Sequence, residues 1–471
     1  MTGLDRRGFL KVGALGVGAA AVGAGALGAG CASSGTAGEA GGRLGAGMIR
    51  PDAPELGAAP VHPLVTPPME TVRVGFVGVG GMGTVHVTNF TDILGVEIVA
   101  VCDIREEHAR RSQKLVTDAG MRSPTLYTRG ERDYERMIGE EDLDLVLTAT
   151  PWRWHVPICL EAMRNGKHAA TEVPAAYTVD DCWALVEAAE QYERHCVMLE
   201  NCNYDRPELM ALNLIRKGLL GEVLHAECGY LHDLRAIKFS DTGEGLWRRD
   251  HSWTRNGNLY PTHGLGPVAQ YMDINRGDQF SHLVSMSSPS HGLQRYAQEH
   301  FPPGSPQRDE TFALGDVNVS LIQTVNGRTI FLSHDTNLPR PYSRINMVQG
   351  TKGLFSGYPN RVHIEGMSDG HRWDDWTDWQ DEYDHPLWKW ELESAEERAG
   401  HGGMDYMEDY RLVKCLREGK QTDMNVYDAA ALSVICELTE ISVANGSRPV
   451  EVPDFTRGRW REWERLELFE F

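Results

Sequence analysis

His263 and Tyr260 stand three residues apart in the run Asn258-Leu259-Tyr260-Pro261-Thr262-His263-Gly264-Leu265-Gly266-Pro267. An imidazole titrates near neutrality and can take or return a proton. A phenol beside it can hold a hydroxyl or share the transfer. A loop just ahead of a helical run over 265–273 can present both to one bound molecule. A second group, Gly78-Val79-Gly80-Gly81-Met82-Gly83, satisfies G-x-G-x-x-G. Gly78 permits a tight turn, Gly80 lets the backbone approach a pyrophosphate, and Gly83 lets helix and strand pack closely. The helix start adds free N–H groups and a partial positive charge for the phosphates. Asp103 follows Gly78 by 25 residues. That is the spacing of a carboxylate that accepts from ribose hydroxyls and repels a 2′-phosphate, so the motif predicts NAD rather than NADP, with Arg105 weakening the preference slightly.

These groups need a scaffold, and the hydrophobic pattern supplies one. Short β-branched runs over 71–77, 96–102, 144–150, 168–172 and 196–200 alternate with helical stretches over 106–119, 156–166 and 178–194. Such alternation predicts a parallel sheet with its ligand at the strand C-terminal edges. Those edges carry Pro151-Trp152-Arg153-Trp154-His155, Glu172-Val173-Pro174 and Asn201-Cys202-Asn203-Tyr204. Beyond residue 202 strands are expected over 222–229, 313–323 and 328–334. The clean period of two in Asp316–Leu321 fits a half-exposed antiparallel sheet. Helices near 404–419 and 427–445 close this part. The fold class expected is α/β: a Rossmann domain over 70–201, then an α+β domain with a mostly antiparallel open sheet over 202–471.

The chain has 471 residues, with 46 basic and 67 acidic side chains and a net charge of -21. That balance excludes the basic face that nucleic acid or an anionic membrane surface would require. Arg6-Arg7 with Phe9-Leu10-Lys11, followed by an uncharged Ala/Gly-rich run to residue 30, looks like a twin-arginine export signal over 1–31. Leu27-Gly28-Ala29-Gly30-Cys31 resembles a lipoprotein cleavage box, which would put a lipid anchor on Cys31. Gly28 stands where a large aliphatic is usual, and cleavage by an ordinary signal peptidase would instead release a soluble protein. Either outcome places the chain in the periplasm or at the cell surface. Residues 32–69 are rich in Gly, Ala, Ser and Pro and read as a flexible tether. The remaining cysteines form no CxxC pair and are expected as free, buried thiols. No metal-ligand cluster is expected. The Trp-rich stretch 373–390 could stack on sugar rings, line a dimer surface or pack as a surface loop.

The strand-edge motifs together with Asn258–Pro267 resemble the Gfo/Idh/MocA oxidoreductases and, more narrowly, glycoside hydrolase family 109, from about residue 70 to the C-terminus. The exported start resembles that family too. The resemblance implies an NAD-dependent α-N-acetylgalactosaminidase acting on a carbohydrate. Its cofactor contacts would be Gly78, Gly80, Met82, Gly83, Asp103, Trp152, His155, Glu172, Val173 and Asn201. Catalysis would rest on His263 and Tyr260, and substrate contacts on Tyr230, Tyr260, Tyr342 and Arg248, with Arg249 as the alternative arginine. A homo-oligomer is also implied. The family's chemistry oxidises sugar carbon 3 transiently, eliminates the leaving group from carbon 1, adds water and returns the hydride. The wider superfamily usually carries Glu-Lys-Pro where this chain has Glu172-Val173-Pro174, and Val173 cannot polarise a hydroxyl. That departure disfavours the alternative, an NAD-dependent sugar or polyol dehydrogenase.

Overall fold

The computed structural model describes residues 47–389, except 56, 58 and 62, and residues 401–465. The export signal, Cys31 and the start of the tether lie outside the described residues. The strand β1 (Val72–Val77) is buried along almost its whole length, as a central strand covered on both faces must be. Around it run β2 (Val96–Cys102), β3 (Thr125–Tyr127), β4 (Leu145–Thr148), β5 (His168–Thr171) and β6 (Cys196–Met198), in the order β3-β2-β1-β4-β5-β6. Every pairing is parallel. The order reverses between β1 and β4, and a crevice at such a switch point is where doubly wound sheets bind their ligand. β3 and the helix Asp133–Glu140 were not expected. At three and eight residues, they are too short for a clear period.

A second sheet has nine strands: β7 (Val223–Leu231), β8 (Phe280–Ser287), β9 (Val317–Thr324), β10 (Thr329–Asp335), β11 (Met347–Gly350), β12 (Gly353–Ser356), β13 (Arg361–Ile364), β14 (Asp374–Asp375) and β15 (Val450–Glu451). Their order is β14-β13-β12-β11-β7-β10-β9-β8-β15. All neighbours are antiparallel except β7 and β10, which pair in parallel. In β9, buried side chains alternate with partly or fully exposed ones, the pattern of a sheet with one wet face. The expected helix 427–445 is two helices, Val426–Ser433 and Ile435–Ala444.

Helix Met404–Glu418 belongs by sequence to the second part, yet it packs on the first Rossmann helix, Gly81–Asp92: the Asp409 carboxylate meets His86 at 2.9 Å. Three other expectations meet the structure differently. The flexible-tether reading does not hold for the described part of residues 47–69. Ile49 exchanges backbone hydrogen bonds with Pro449 and Glu451, Val61 N–H donates to the Tyr427 hydroxyl at 2.8 Å, and Met69 N–H donates to the Arg417 carbonyl. Low hydrophobicity hid these anchors, because they are made by main-chain groups. In the Trp-rich stretch, Trp379 and Trp388 are buried and the Trp388 indole donates to the Tyr204 carbonyl, so both are packing residues. Trp390 lies outside the described residues. Eight cysteines are buried and unpaired, as a chain folding among reduced thiols would have them.

Candidate functional site

The glycine-rich turn is built as its spacing predicts. Gly78 has φ +79°, a left-handed conformation that favours glycine. A Cβ on Gly83 would stand 2.0 Å from the Gly78 carbonyl oxygen, so Gly83 is what lets the helix Gly81–Asp92 seat against the turn. A Cβ on Gly80 would meet nothing closer than His108, 4.0 Å away, and one on Gly81 would meet nothing within 4 Å. That bare backbone at a helix start is a cradle for a phosphate pair. The Asp103 carboxylate accepts from Val79 N–H at 2.9 Å and from Arg105 N–H at 2.8 Å. It therefore fixes the turn and keeps lone pairs at the edge of β2. Arg111 ties the same turn down by donating to the Val79 and Gly80 carbonyls and to the Thr84 hydroxyl.

These groups open into a cleft of about 400 Å³. Gly78, Gly80, Met82 and Asp103 line one end; Trp152, His155, Glu172, Val173, Arg248 and Tyr260 line the other. A bare glycine cradle and a ribose-side carboxylate in one cleft fit a dinucleotide. Two residues expected to touch the cofactor are not in this lining. Gly83 is a packing glycine. Asn201 is buried, and its amide donates to Asp405 at 2.6 Å. His155 forms part of the wall, but its ring nitrogens lie 2.8 Å from the carbonyls of Pro174 and Thr150, so it braces the loop around β4 and β5.

At Tyr260 the cleft wall adjoins a cluster of aromatic rings. The Tyr260 ring stacks on Trp152 at 5.8 Å and packs against Tyr230 at 4.5 Å and His263 at 4.8 Å. Tyr342 closes on Tyr230 at 6.0 Å. The two arginines point in different directions. Arg248 lies over Trp152, Trp247 and Tyr260 and pairs with Glu244 at 2.5 Å. Arg249 turns to Phe239 and Trp253. Burial pushes the Tyr260 phenol well up despite the opposing Arg248, and burial likewise takes Tyr230 to about 12. Both are therefore protonated donors near neutrality. Tyr230 has its own partner, His232 Nδ1 at 2.9 Å. Burial lowers the pKa of His232, so that ring serves as the acceptor.

The helix carrying His263 begins at Thr262, earlier than expected, because Pro261 is already pre-set for a helix start. His263 sits in its first turn, and its Nδ1 lies 2.7 Å from Glu200 Oε1. A carboxylate on Nδ1 fixes the tautomer and leaves Nε2 as the nitrogen free to take a proton. Glu200, at the end of β6, was missed. Its sequence signal was position alone, a strand-edge acid one residue ahead of a recognised motif. Glu200, Cys202 and His263 also place ligand-type atoms within 4.8 Å of one another, a grouping the sequence spacing did not reveal. Within it, Glu200 on Nδ1 orients the His263 ring. His232, Glu244, Trp247 and His251 were missed as well. His251 stacks on Trp152 at 4.8 Å. The Trp152 contacts of Trp247 and His251 join elements distant in sequence, whereas Glu244 and His232 meet near neighbours, Arg248 and Tyr230.

Comparison with known proteins agrees with this geometry. A family model described as "Oxidoreductase family, NAD-binding Rossmann fold" matches residues 72–200, and one described as "Glycosyl hydrolase 109, C-terminal domain" matches residues 204–462. A glycosyl hydrolase family 109 protein of Shewanella pealeana is 49% identical over 420 residues, 88% of this chain and 92% of that one. Another from Solibacter usitatus is 48% identical over 423 residues, 89% of this chain and 95% of that one. Among solved structures, levoglucosan dehydrogenase in complex with NADH matches with a TM-score of 0.63 at 21% identity, covering 82% of this chain and all of that one. A scyllo-inositol dehydrogenase from Lactobacillus casei with bound NAD(H) and scyllo-inositol matches with a TM-score of 0.58 at 13% identity, covering 81% of this chain and 99% of that one. At such identities the likeness is one of fold.

Proposed function

Because the chain belongs to glycosyl hydrolase family 109, an enzyme family acting on sugars and here built on an NAD-binding Rossmann domain, we propose that it hydrolyses α-N-acetylgalactosaminides or closely related glycosides by transient oxidation. Bound NAD supplies a hydride acceptor and donor for carbon 3 of the sugar, regenerated within each turnover. The protein's own residues manage the protons and the substrate. His263, oriented by Glu200, takes the hydroxyl proton at carbon 3. Tyr260, held protonated by burial, donates to the oxygen as it becomes a carbonyl and then shares enolate charge, while Tyr230, whose proton goes to His232, packs against Tyr260. Arg248, kept in place by Glu244 and its aromatic neighbours, holds a sugar hydroxyl, and Tyr342 borders the pocket. A base takes the carbon-2 proton, acidified by the ketone, and the group on carbon 1 departs with its bonding electron pair as the enone forms. Water then adds to the enone, so no pair of carboxylates flanking the bond is required.

The observation that carries this reading is the junction at Tyr260, a residue of the cleft wall whose ring packs on the carboxylate-oriented imidazole of His263. The test is an aryl α-N-acetylgalactosaminide in deuterium oxide, with no NAD added. Aryl release with deuterium at carbon 2 is expected. Release without deuterium would remove elimination from the mechanism, and stoichiometric NADH on a free sugar would favour net dehydrogenation instead. Export by the twin-arginine route, anchoring through Cys31 and self-association belong to the same proposal. Replacing Arg6-Arg7 by lysines should retain the protein inside the cell, globomycin should block maturation at Cys31, and light scattering should give a mass above that of one chain.

A further inference from the structure

Beneath the inner end of the cleft lies a chain of buried charges with no part in the chemistry above. Glu172, at the edge of β5, places Oε1 2.9 Å from His86 Nε2. His86 lies on the first Rossmann helix and is fully buried. Its Nδ1 is 2.9 Å from Asp409 on helix Met404–Glu418, and the Asn89 amide donates to the same carboxylate at 2.9 Å. One turn away on that helix, Asp405 pairs with His401 at 2.9 Å and accepts from Asn201. Three segments far apart in sequence thus converge on one imidazole. Both of its nitrogens meet carboxylates, an arrangement only the doubly protonated, cationic ring satisfies.

Burial opposes charge on His86, but Asp409 and Glu172 outweigh it and hold the ring well above its ordinary value. Burial likewise opposes ionisation of Glu172, and His86 overrides it. Glu408, pushed well up by burial and by Asp409, is neutral, and His401 offsets Asp405. Asp409 is itself pushed up by burial against the opposing pull of His86, so the ionised end of the chain is Glu172. Of these groups only Glu172 lines the cleft. β5 belongs to the half of a doubly wound sheet that faces the nicotinamide end of a dinucleotide. The oxidised nicotinamide ring is a cation and the reduced ring is neutral, so charge placed there acts on one redox state and not the other.

We propose that the Asp409–His86–Glu172 chain sets the cleft's relative affinity for oxidised and reduced nicotinamide, with His86 and Asp409 as positioning residues acting through Glu172. This role requires NAD binding, as in the proposed function, and no particular sugar. An enzyme that keeps its cofactor through turnover needs the hydride to leave and return with comparable ease, and a fixed charge is a direct way to adjust that balance.

Competition between NAD⁺ and NADH on the full-length holoenzyme, followed by the fluorescence of the bound dihydronicotinamide, reads the ratio of the two dissociation constants. Glu172→Gln should shift the ratio toward NADH by about tenfold, the scale of one charge acting across a partly desolvated site. Asp409→Asn should shift it the same way by less. A structural defect would weaken both ligands together and leave the ratio alone. A ratio unchanged in both variants would overturn the proposal. If Asp409→Asn does not fold, Glu172→Gln at the cleft wall decides the matter by itself. No sugar enters the assay, so failure of the glycosidase reading would leave its result intact.

Discussion

At Tyr260 and His263 the candidate chemistry depends on a residue that no local pattern announced. Glu200 is fully buried and meets His263 Nδ1 at 2.7 Å, which makes Nε2 the basic nitrogen. Removing the imidazole by His263→Ala should lower kcat by about 10²- to 10⁴-fold, the range of a lost acid–base group. Glu200→Gln should lower kcat by a smaller factor and leave KM nearly unchanged, since an amide still reaches Nδ1 but stabilises the imidazolium less. Steady-state kinetics on an aryl glycoside distinguishes the two, and a Glu200→Gln variant with wild-type kcat would remove Glu200 from this role. Residues in a short motif could be placed from sequence: Gly78, Gly80 and Asp103 sit at the spacing the turn needs, and Tyr260 and His263, three apart, fall at one loop-to-helix junction. Glu200 and His86 could not. Their partners lie on other elements, and only the fold brings His86 and Asp409, 323 residues apart, to 2.9 Å.

The site is aimed by how its elements pack. Helix Thr262–Tyr271 crosses β7 with glycine against glycine, and a Cβ on Gly264 would stand 2.6 Å from the backbone nitrogen of Gly229. Nothing flexible lies in the way to yield, so Gly264→Ala must push the helix off the strand. Overpacking of this kind costs about 1–3 kcal/mol. It also displaces the neighbouring His263, and a shift near 1 Å can cost about 10²-fold in rate. The expected outcome is a folded protein with a lower Tm that binds NAD normally and has lost most of its turnover. Loss of NAD binding in this variant would show instead that the two sheets respond as one. At this scale the strand–helix alternation of the first sheet followed from its buried runs. The parallel β7–β10 pair did not, because a period of two assigns a face and says nothing of neighbour or direction. The docking of helix Met404–Glu418 on the Rossmann helix was hidden too. Its buried face carries Asp405, Glu408 and Asp409, which in sequence resemble a wet surface.

Across the whole molecule, buried neutral histidines set how the fold responds to acid. Burial lowers His168 to about 3 and His195 to about 4, while His334 and His385 fall to about 3. Two of them are held neutral by geometry as well: the His195 backbone N–H donates to His168 Nδ1 at 3.0 Å, and the Leu387 N–H donates to His385 Nδ1 at 3.3 Å. Protonation destroys such a bond. The sign follows from proton counts. Between about pH 6.5 and these folded values the unfolded chain binds protons that the native state refuses, so stability rises with pH across that window and falls on acidification. Their contribution is fully present above about pH 6.5 and disappears as the pH drops through 4 toward 3. His86 and His401, raised by carboxylate partners, act in the opposite sense, losing their contribution as the pH climbs through their folded values, but they are fewer. Each refused proton is worth about 1.4 kcal/mol per pH unit. Thermal unfolding should therefore show Tm falling steadily from pH 7 to pH 5. His168→Asn, which keeps an acceptor for the His195 N–H without a titrating ring, should make that slope shallower. A Tm that stays level over the interval, or a slope that His168→Asn leaves untouched, would mean that these rings are already solvated or charged in the native state.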